Sequence, residues 1–476
     1  MNTKLMPKIK LSTLTVAAVA LVLAISAFSG ATTAVRADNP TNTPPPTQVL
    51  GGEGCAASAT KLTWYIGLGS GTDAPVIPKE KAWADAFNKA NPDVCLSLQI
   101  VHNPESYDTL KAMLAAGTPP DIVGPVGKLG RASFKGAWAD VTPLAKAANV
   151  DLTKYDQTLL DFVKDDNVQV GLPFALFPAF IYYNKDLFDE AKLPYPPHKV
   201  GDKYQGKDWN LQTFTDLAKK LSVDANGADA TDPKFDSKHI KQFGLWLGYQ
   251  SMRRVASLFQ PATIFDAKNS ATIPQAWRDA YKWYYDGEWK DFYLPNADYA
   301  NSDQFGKGNP FSSGNVAMTW SFTWYTCCFD MKKLNWDIAV VPTINGQITA
   351  GMHGDTFAIP DASKNKQAAF KVLSQMVIDK DLSTIYGGIP GNPADRASFF
   401  KAMDDNTAPN KIDWQVALDM LKYPDLPNHE SWLPNISKAQ DRFGQFGSKL
   451  DQTPGLDVDK EVDQLQTDLT AIFQAK

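Results

Sequence analysis

Residues 61–101, "KLTWYIGLGSGTDAPVIPKEKAWADAFNKANPDVCLSLQIV", decide the fold. The run 61–69 is short, β-rich and ends in glycines. Residues 80–93 place Trp83, Phe87 and alanines at helical spacing, and residues 95–101 are strand-like again. Strand, helix, strand over this length calls for a parallel pair joined by a crossover helix. A second helix, "SYDTLKAMLAAG" (106–117), stops at Gly117-Thr118-Pro119-Pro120, and "DIVGPVG" (121–127) supplies a third strand. This is a doubly wound α/β lobe, whose ligands collect at the carboxyl ends of the strands.

Upstream, Lys4, Lys8 and Lys10 precede the apolar run 14–28, and small residues lead to "AVRA". Residues 1–37 therefore read as a secretory signal peptide, cleaved after Ala37 or, as the alternative, after Ala31. The run is short for a membrane span. The chain has a formal charge of −5, and the leader holds basic residues and no acidic ones, so the exported part is more acidic still. Such a protein is a poor partner for nucleic acid. Residues 38–54, rich in Pro, Thr and Gly, read as a solvated tether. The reading is of an exported, extracytoplasmic protein, periplasmic or at the cell surface, with membrane tethering left open. Lipidation of Cys55 is disfavoured because it lies well past the apolar run.

About 420 residues remain, too many for one core, so two lobes are expected. Outside the cytoplasm thiols oxidise, and if the first two strands are neighbours Cys55 and Cys95 lie near their amino ends, within reach of a disulfide. The middle of the chain is richer in helices, with 210–222 and 275–289 as amphipathic candidates, and 456–476 reads as a surface helix. No internal repeat is visible.

Four stretches, "AAGTPPDIV" (115–123), "GLPFALFPAFIYYNKDLFDEAKLPYPP" (171–197), "NPFSSGNVAMTWSFTWY" (309–325) and "GDTFAIPDASKNKQAAFKVLSQM" (354–376), resemble in order the family 1 extracellular solute-binding proteins of ABC importers, the maltose-binding-protein-like group. The resemblance implies an α/β, two-lobed periplasmic-binding-protein fold of type II, hinged, with ligand in the interlobe cleft. It implies one lobe from 55–173 plus 357–427 and another from 175–355 plus 429–476. It also implies a monomer that binds a sugar or oligosaccharide, uses no cofactor, and delivers its ligand to separate membrane permease subunits.

Sugar recognition needs flat rings against the C–H faces of a pyranose and polar groups around its edge. Register with the family puts Trp324 at a stacking position, and Trp432 in "NHESWLPN" matches another. Tyr65 ends the first strand and Asp73 follows in its loop, where cleft groups gather. Tyr249 and Gln250, and His353 with Asp355, match regions that contact ligand in relatives. Phe177 and Gly127-Lys128 stand where many relatives carry carboxylates. With Arg253, Lys128 leaves open an acidic or phosphorylated ligand. Cys327 and Cys328, just after Trp324, suggest a vicinal disulfide beside the stacking ring, with two small hydrophobic thiols as the alternative.

An exported glycoside hydrolase and a polysaccharide-binding adhesin are the rival readings. The first needs two carboxylates at a defined separation, which no segment advertises. The sequence contains no G-x-S-x-G, H-E-x-x-H or P-loop motif, and its five dispersed histidines suggest no metal cluster.

Overall fold

The computed structural model describes residues 48–249 and 251–475. The signal peptide expected at 1–37 lies outside them. Thr60–Ile66 and Val94–Ile100 form the expected parallel pair, joined by the helix Ile77–Ala90, and Ile122–Val126 lies parallel on the other side of Thr60–Ile66. Between them runs the helix Asn103–Ala115. One face of the first pair, with Leu62, Trp64 and Ile66 beside Leu96, Leu98 and Ile100, is apolar and buried. The helices expected in the middle and at the end are Leu211–Lys220, Gln275–Trp289 and Val458–Gln474.

One sheet of 11 strands runs through both lobes. Its path is Gln48–Gly51, Val94–Ile100, Thr60–Ile66, Ile122–Val126, Met352–Ala358, Ala175–Asn184, Val316–Phe322, Ile240–Trp246 and Val223–Asp224, and the other two strands, Trp336–Ala339 and Ile389–Pro390, pair with Ala175–Asn184 off that path. The join is made by Met352–Ala358. Its first half pairs antiparallel with Ala175–Asn184, in register Met352↔Pro178 to Asp355↔Ala175, and its second half pairs with Ile122–Val126 at Thr356↔Val126 and Ala358↔Val123. All ten residues of Ala175–Asn184 are buried. Close approach on the second-lobe sheet depends on Gly244, where a Cβ would stand 1.8 Å from the Ala218 carbonyl of the helix packed on it.

Two organisational expectations are corrected. The end of the supposed tether is not solvated coil: Gln48–Gly51 pairs antiparallel with Val94–Ile100, and Cys55 is bonded to Cys95 with Cα atoms 5.7 Å apart. The edge of a sheet offers unpaired N–H and C=O groups that satisfy a polar segment as well as water does. Residues 410–425, grouped by resemblance with the first lobe and joined to its helix Arg396–Thr407 through Trp414 and Asp404, also lie against the second. The Asn410 amide donates to the carbonyls of Met331 and Leu334, Asp413 N–H donates to Asp337, and Ala350 N–H donates to the Tyr423 carbonyl. Trp414 also meets Trp336 edge to face at 6.2 Å.

The helix Ile77–Ala90 buries Ile77, Glu80, Ala84 and Phe87 along one face. Glu80 is fully buried, accepts a 2.6 Å hydrogen bond from the Tyr386 hydroxyl, and leaves Oε2 without a partner. Burial, which the Tyr386 bond only partly opposes, raises its carboxyl from an ordinary 4.5 to about 8. Between those values the folded chain holds a proton that the unfolded chain releases, so this stability is present in acid and is lost as pH rises toward 8. Glu80→Gln should flatten that slope and unfold at higher urea than the parent at pH 8. A parent-like slope in the variant would exclude Glu80 as its source.

Candidate ligand-binding site between the lobes

Beside the crossover strands lies a cavity of about 320 Å³ walled from three directions. Lys128, Arg131 and Lys135 come from the first lobe, Arg253 and Phe265 from the second, and Trp432 from the segment after the helix Gln415–Met420. A larger cavity of about 520 Å³ around Trp209 and Thr343 lies wholly within the second lobe, where no change in the spacing of the lobes would close it.

The cavity combines an aromatic wall with fixed charges. Trp432 meets Phe265 edge to face at 5.6 Å, and Lys135 Nζ stands 3.6 Å above the Trp432 ring. Asp165 receives Lys128 at 2.6 Å and Arg131 at 2.9 Å, while Lys135 pairs with Asp166 at 3.2 Å. Burial pushes the Asp165 carboxyl up, but Arg131 and Lys128 outweigh it and hold it below the usual carboxylate range. Arg253 is only 3% exposed. Its Nη2 donates to the Ser431 carbonyl at 2.8 Å, and its Nε and Nη1 have no hydrogen-bond partner among the described residues. Burial lowers this guanidinium from 12.5 to about 10, with Glu430 opposing. A buried donor without an acceptor costs about 1–3 kcal/mol, and more when charged, so Arg253 is poised for a ligand oxygen.

A second cluster lies beside it. Trp324, half-buried, stacks on Phe322 at 5.6 Å, and Phe322 stacks on His353 at 3.8 Å. Trp324 Nε1 donates to His353 Nδ1 at 3.1 Å, His353 Nε2 lies 3.1 Å from His429 Nε2, and His429 Nδ1 lies 2.7 Å from Asp425. An indole N–H only donates, so His353 accepts at Nδ1 and carries its proton on Nε2. That proton bonds to His429 Nε2, which leaves the His429 proton on Nδ1, directed at Asp425. The chain of bonds runs one way, from Trp324 to Asp425. Burial supports this, driving His353 down to about 4 against the opposing charge of Glu430. Asp425 also accepts from Met352 N–H, His429 N–H and the Asn428 amide. Against the upward push of burial, His429 and these bonds hold its carboxyl below the usual range. Glu430 lies 3.5 Å from His353 Nε2 and accepts from the Leu129 N–H of the first lobe at 3.4 Å.

The expected site residues therefore separate. Trp432 lines the cavity. Trp324, Tyr249 and His353 form the neighbouring cluster, with Tyr249 half-buried at φ +53° and 5.6 Å from Trp324. Gln250 lies outside the described residues. Asp355 is buried, and burial, then Glu430, raises it to about 7. Two assignments are corrected. Tyr65 is fully buried and donates to the Ser106 carbonyl at 2.7 Å, because the strand's inner face turns it into the first-lobe core. Asp73 is exposed, and its carbonyl receives Val76 and Ile77 N–H at the start of a helix, the ordinary work of a turn residue.

Cys327 is exposed and Cys328 half-buried, and Cys328 N–H donates to the Tyr325 carbonyl at 2.9 Å, a regular turn bond. The sequence reading had singled out Lys128 and Arg253. It missed Lys135, Asp425, His429 and Glu430, although "NHESW" places three chemically capable residues together. The five histidines had suggested no cluster, yet His353 and His429 meet across 76 residues.

A two-lobed chain with a cavity between its lobes belongs to a recognised class of binding proteins. Residues 71–376 match the family described as bacterial extracellular solute-binding protein, and the chain belongs to that family. A maltooligosaccharide ABC transporter solute-binding lipoprotein of Streptococcus pneumoniae is 24% identical over 317 residues, 61% of this chain. The chain spans 64% of the length of that curated relative. Among solved structures, the sugar-binding protein MalE of Xanthomonas citri is similar with a TM-score of 0.66 at 17% identity, covering 87% of this chain and 97% of the other. The substrate-binding protein Lmo0181 of Listeria monocytogenes, in complex with cycloalternan, gives 0.63 at 21% identity over 88% and 100%. At such identities these likenesses establish the fold.

Asp425 is the hub of the second cluster. Asp425→Ala strands the His429 N–H groups, the Met352 N–H and the Asn428 amide, and should cost roughly 3–5 kcal/mol in equilibrium urea unfolding. A cost below about 1 kcal/mol would show that the chain of bonds contributes little to the fold.

Proposed function

We propose that the protein captures a sugar or oligosaccharide outside the cytoplasm and hands it, unaltered, to the membrane permease of an ABC importer, acting as a monomer. The observation that carries this reading is the interlobe cavity with the Trp432 ring on one wall and an incompletely bonded Arg253 on another. A ring offers a face for the C–H side of a pyranose, and fixed donors and acceptors read its hydroxyls. Closing the lobes brings those walls together around the ligand, so ligand and closure favour each other. We place the hinge at the strand pair Ala175–Asn184 and Met352–Ala358, with the lobe boundaries at 173–175 and 355–357 and residues 410–425 carried by the second lobe. Membership of a binding-protein family and the sugar ligands named for relatives support the same reading.

The finer reading is that the ligand carries a carboxylate or phosphate. Lys128, Arg131 and Lys135 are paired with aspartates, Arg131 with one donor nitrogen left unmet, whereas Arg253 keeps two donor positions unmet among the described residues. A planar guanidinium suits a bidentate oxyanion.

A thermal-shift screen of neutral maltooligosaccharides, uronic-acid sugars and sugar phosphates tests both readings. A ligand at 100 times its Kd stabilises by about 2.7 kcal/mol, a clear rise in Tm. Trp432→Ala should abolish the shift while leaving the unliganded Tm nearly unchanged, and Arg253→Gln should weaken the charged sugars selectively. Appearance of cleaved sugar during incubation would reject capture in favour of hydrolysis, and no shift with any sugar would reject the ligand class.

A further inference from the structure

We propose that His353, His429 and Glu430 form a binding site for a single transition-metal ion of the zinc type, set into the junction between the lobes. The inference does not depend on the identity of the solute. One donor atom from each of these residues lies within 4.8 Å of the others. The two Nε2 atoms are 3.1 Å apart, and Glu430 Oε1 is 3.5 Å from His353 Nε2. Two donors each about 2.0–2.1 Å from a tetrahedral zinc stand roughly 3.3–3.4 Å apart, close to the His353–His429 and His353–Glu430 separations, and a side-chain adjustment of Glu430 would close the third.

The surroundings are those of a metal site. His429 directs Nδ1–H at Asp425, which orients the ring and fixes its lone pair on Nε2, the carboxylate–histidine arrangement common behind metal-bound imidazoles. Asp425 is itself held by two backbone N–H groups and the Asn428 amide. His353 and Glu430 are 26% and 22% exposed, so an ion can enter from solvent, while His429 and Asp425 are buried beneath them. The carboxylates of Asp425 and Glu430 offset the cations Arg253 and Arg254, which are packed nearby. Two imidazoles and one carboxylate leave a fourth position for water or a ligand oxygen, as in sites with an open coordination position.

The ion would take the place of the proton now lying between the imidazoles. His353 would bind through Nε2 and move that proton to Nδ1, with no net release. Nδ1–H would then face Trp324 Nε1–H, two donors opposed at 3.1 Å, so the indole must give way. Metal occupancy is thereby coupled to the ring Trp324. Because Glu430 also accepts from Leu129 of the first lobe, it bears on the lobe junction too.

The test is titration of the metal-stripped full chain with zinc chloride against a chromophoric chelator, with tryptophan fluorescence followed in parallel. The expected result is one zinc per chain, a fluorescence change saturating at the same stoichiometry, and affinity reduced about 10-fold or more in both Glu430→Gln and His429→Ala. Asp425→Asn should lose about 10–100-fold. Trp324→Phe, which removes the opposing donor, should bind zinc more tightly than the parent. Because His429→Ala removes buried bonds, the near-isosteric Glu430→Gln and the gain in Trp324→Phe keep the test independent of folding. Absence of saturable binding at one equivalent, or parent-like affinity in Glu430→Gln and Trp324→Phe, would overturn the site.

Discussion

The structure depends on one strand that pairs with both lobes within a single sheet. Met352–Asp355 hydrogen-bonds to Ala175–Pro178, and from the next residue the same strand pairs with Ile122–Val126 of the first lobe. Side chains on a strand alternate between faces, so this register fixes where His353 and Asp355 point and brings the segment after Asp425 against them. The cavity, the histidine pair and the lobe junction follow from that pairing. A slip of one residue would turn His353 away from Trp324 and His429 and dissolve the cluster.

The first lobe was legible because its signals are local. Apolar spacing at 61–66, 77–90 and 94–100, with glycine and proline stops, is read within a few residues, and the strands and helix lie there. The lobe crossings were not legible by periodicity, since Ala175–Asn184 is buried on both faces and its sequence carries no alternation that names a partner. The placement of 410–425 was misjudged for a related reason. Its attachment to the second lobe rests on contacts between residues far apart in the chain, Asn410 to Met331, Asp413 to Asp337 and Trp414 to Trp336.

The candidate site divides along the same line. Trp432 could be found from its motif, while Tyr65 could not be judged, because the end of a strand offers one face to the cleft and one to the core, and sequence alone leaves the choice open. His429 and Asp425 are four residues apart, but their meaning depends on His353, 76 residues upstream. Arg253 had been noted as a cation, yet the shortage of acceptors around it, which Arg254 shares, is a property of packing. Burial also decides the chemistry of the carboxylates. Asp165 and Asp425 stay charged because donors surround them, whereas Glu80 and Asp355 hold their protons more firmly.

The short strand Gln48–Gly51 has a consequence for how copies of the chain meet. It covers the flank of Val94–Ile100, whose backbone groups would otherwise be a template for another molecule's strand. Only four residues long and closed by Gly51-Gly52, it is itself a poor template. Proteolytic trimming that reached past Gly51 would expose a seven-residue strand of the parallel sheet, and molecules so nicked would acquire an adhesive rim and begin to aggregate.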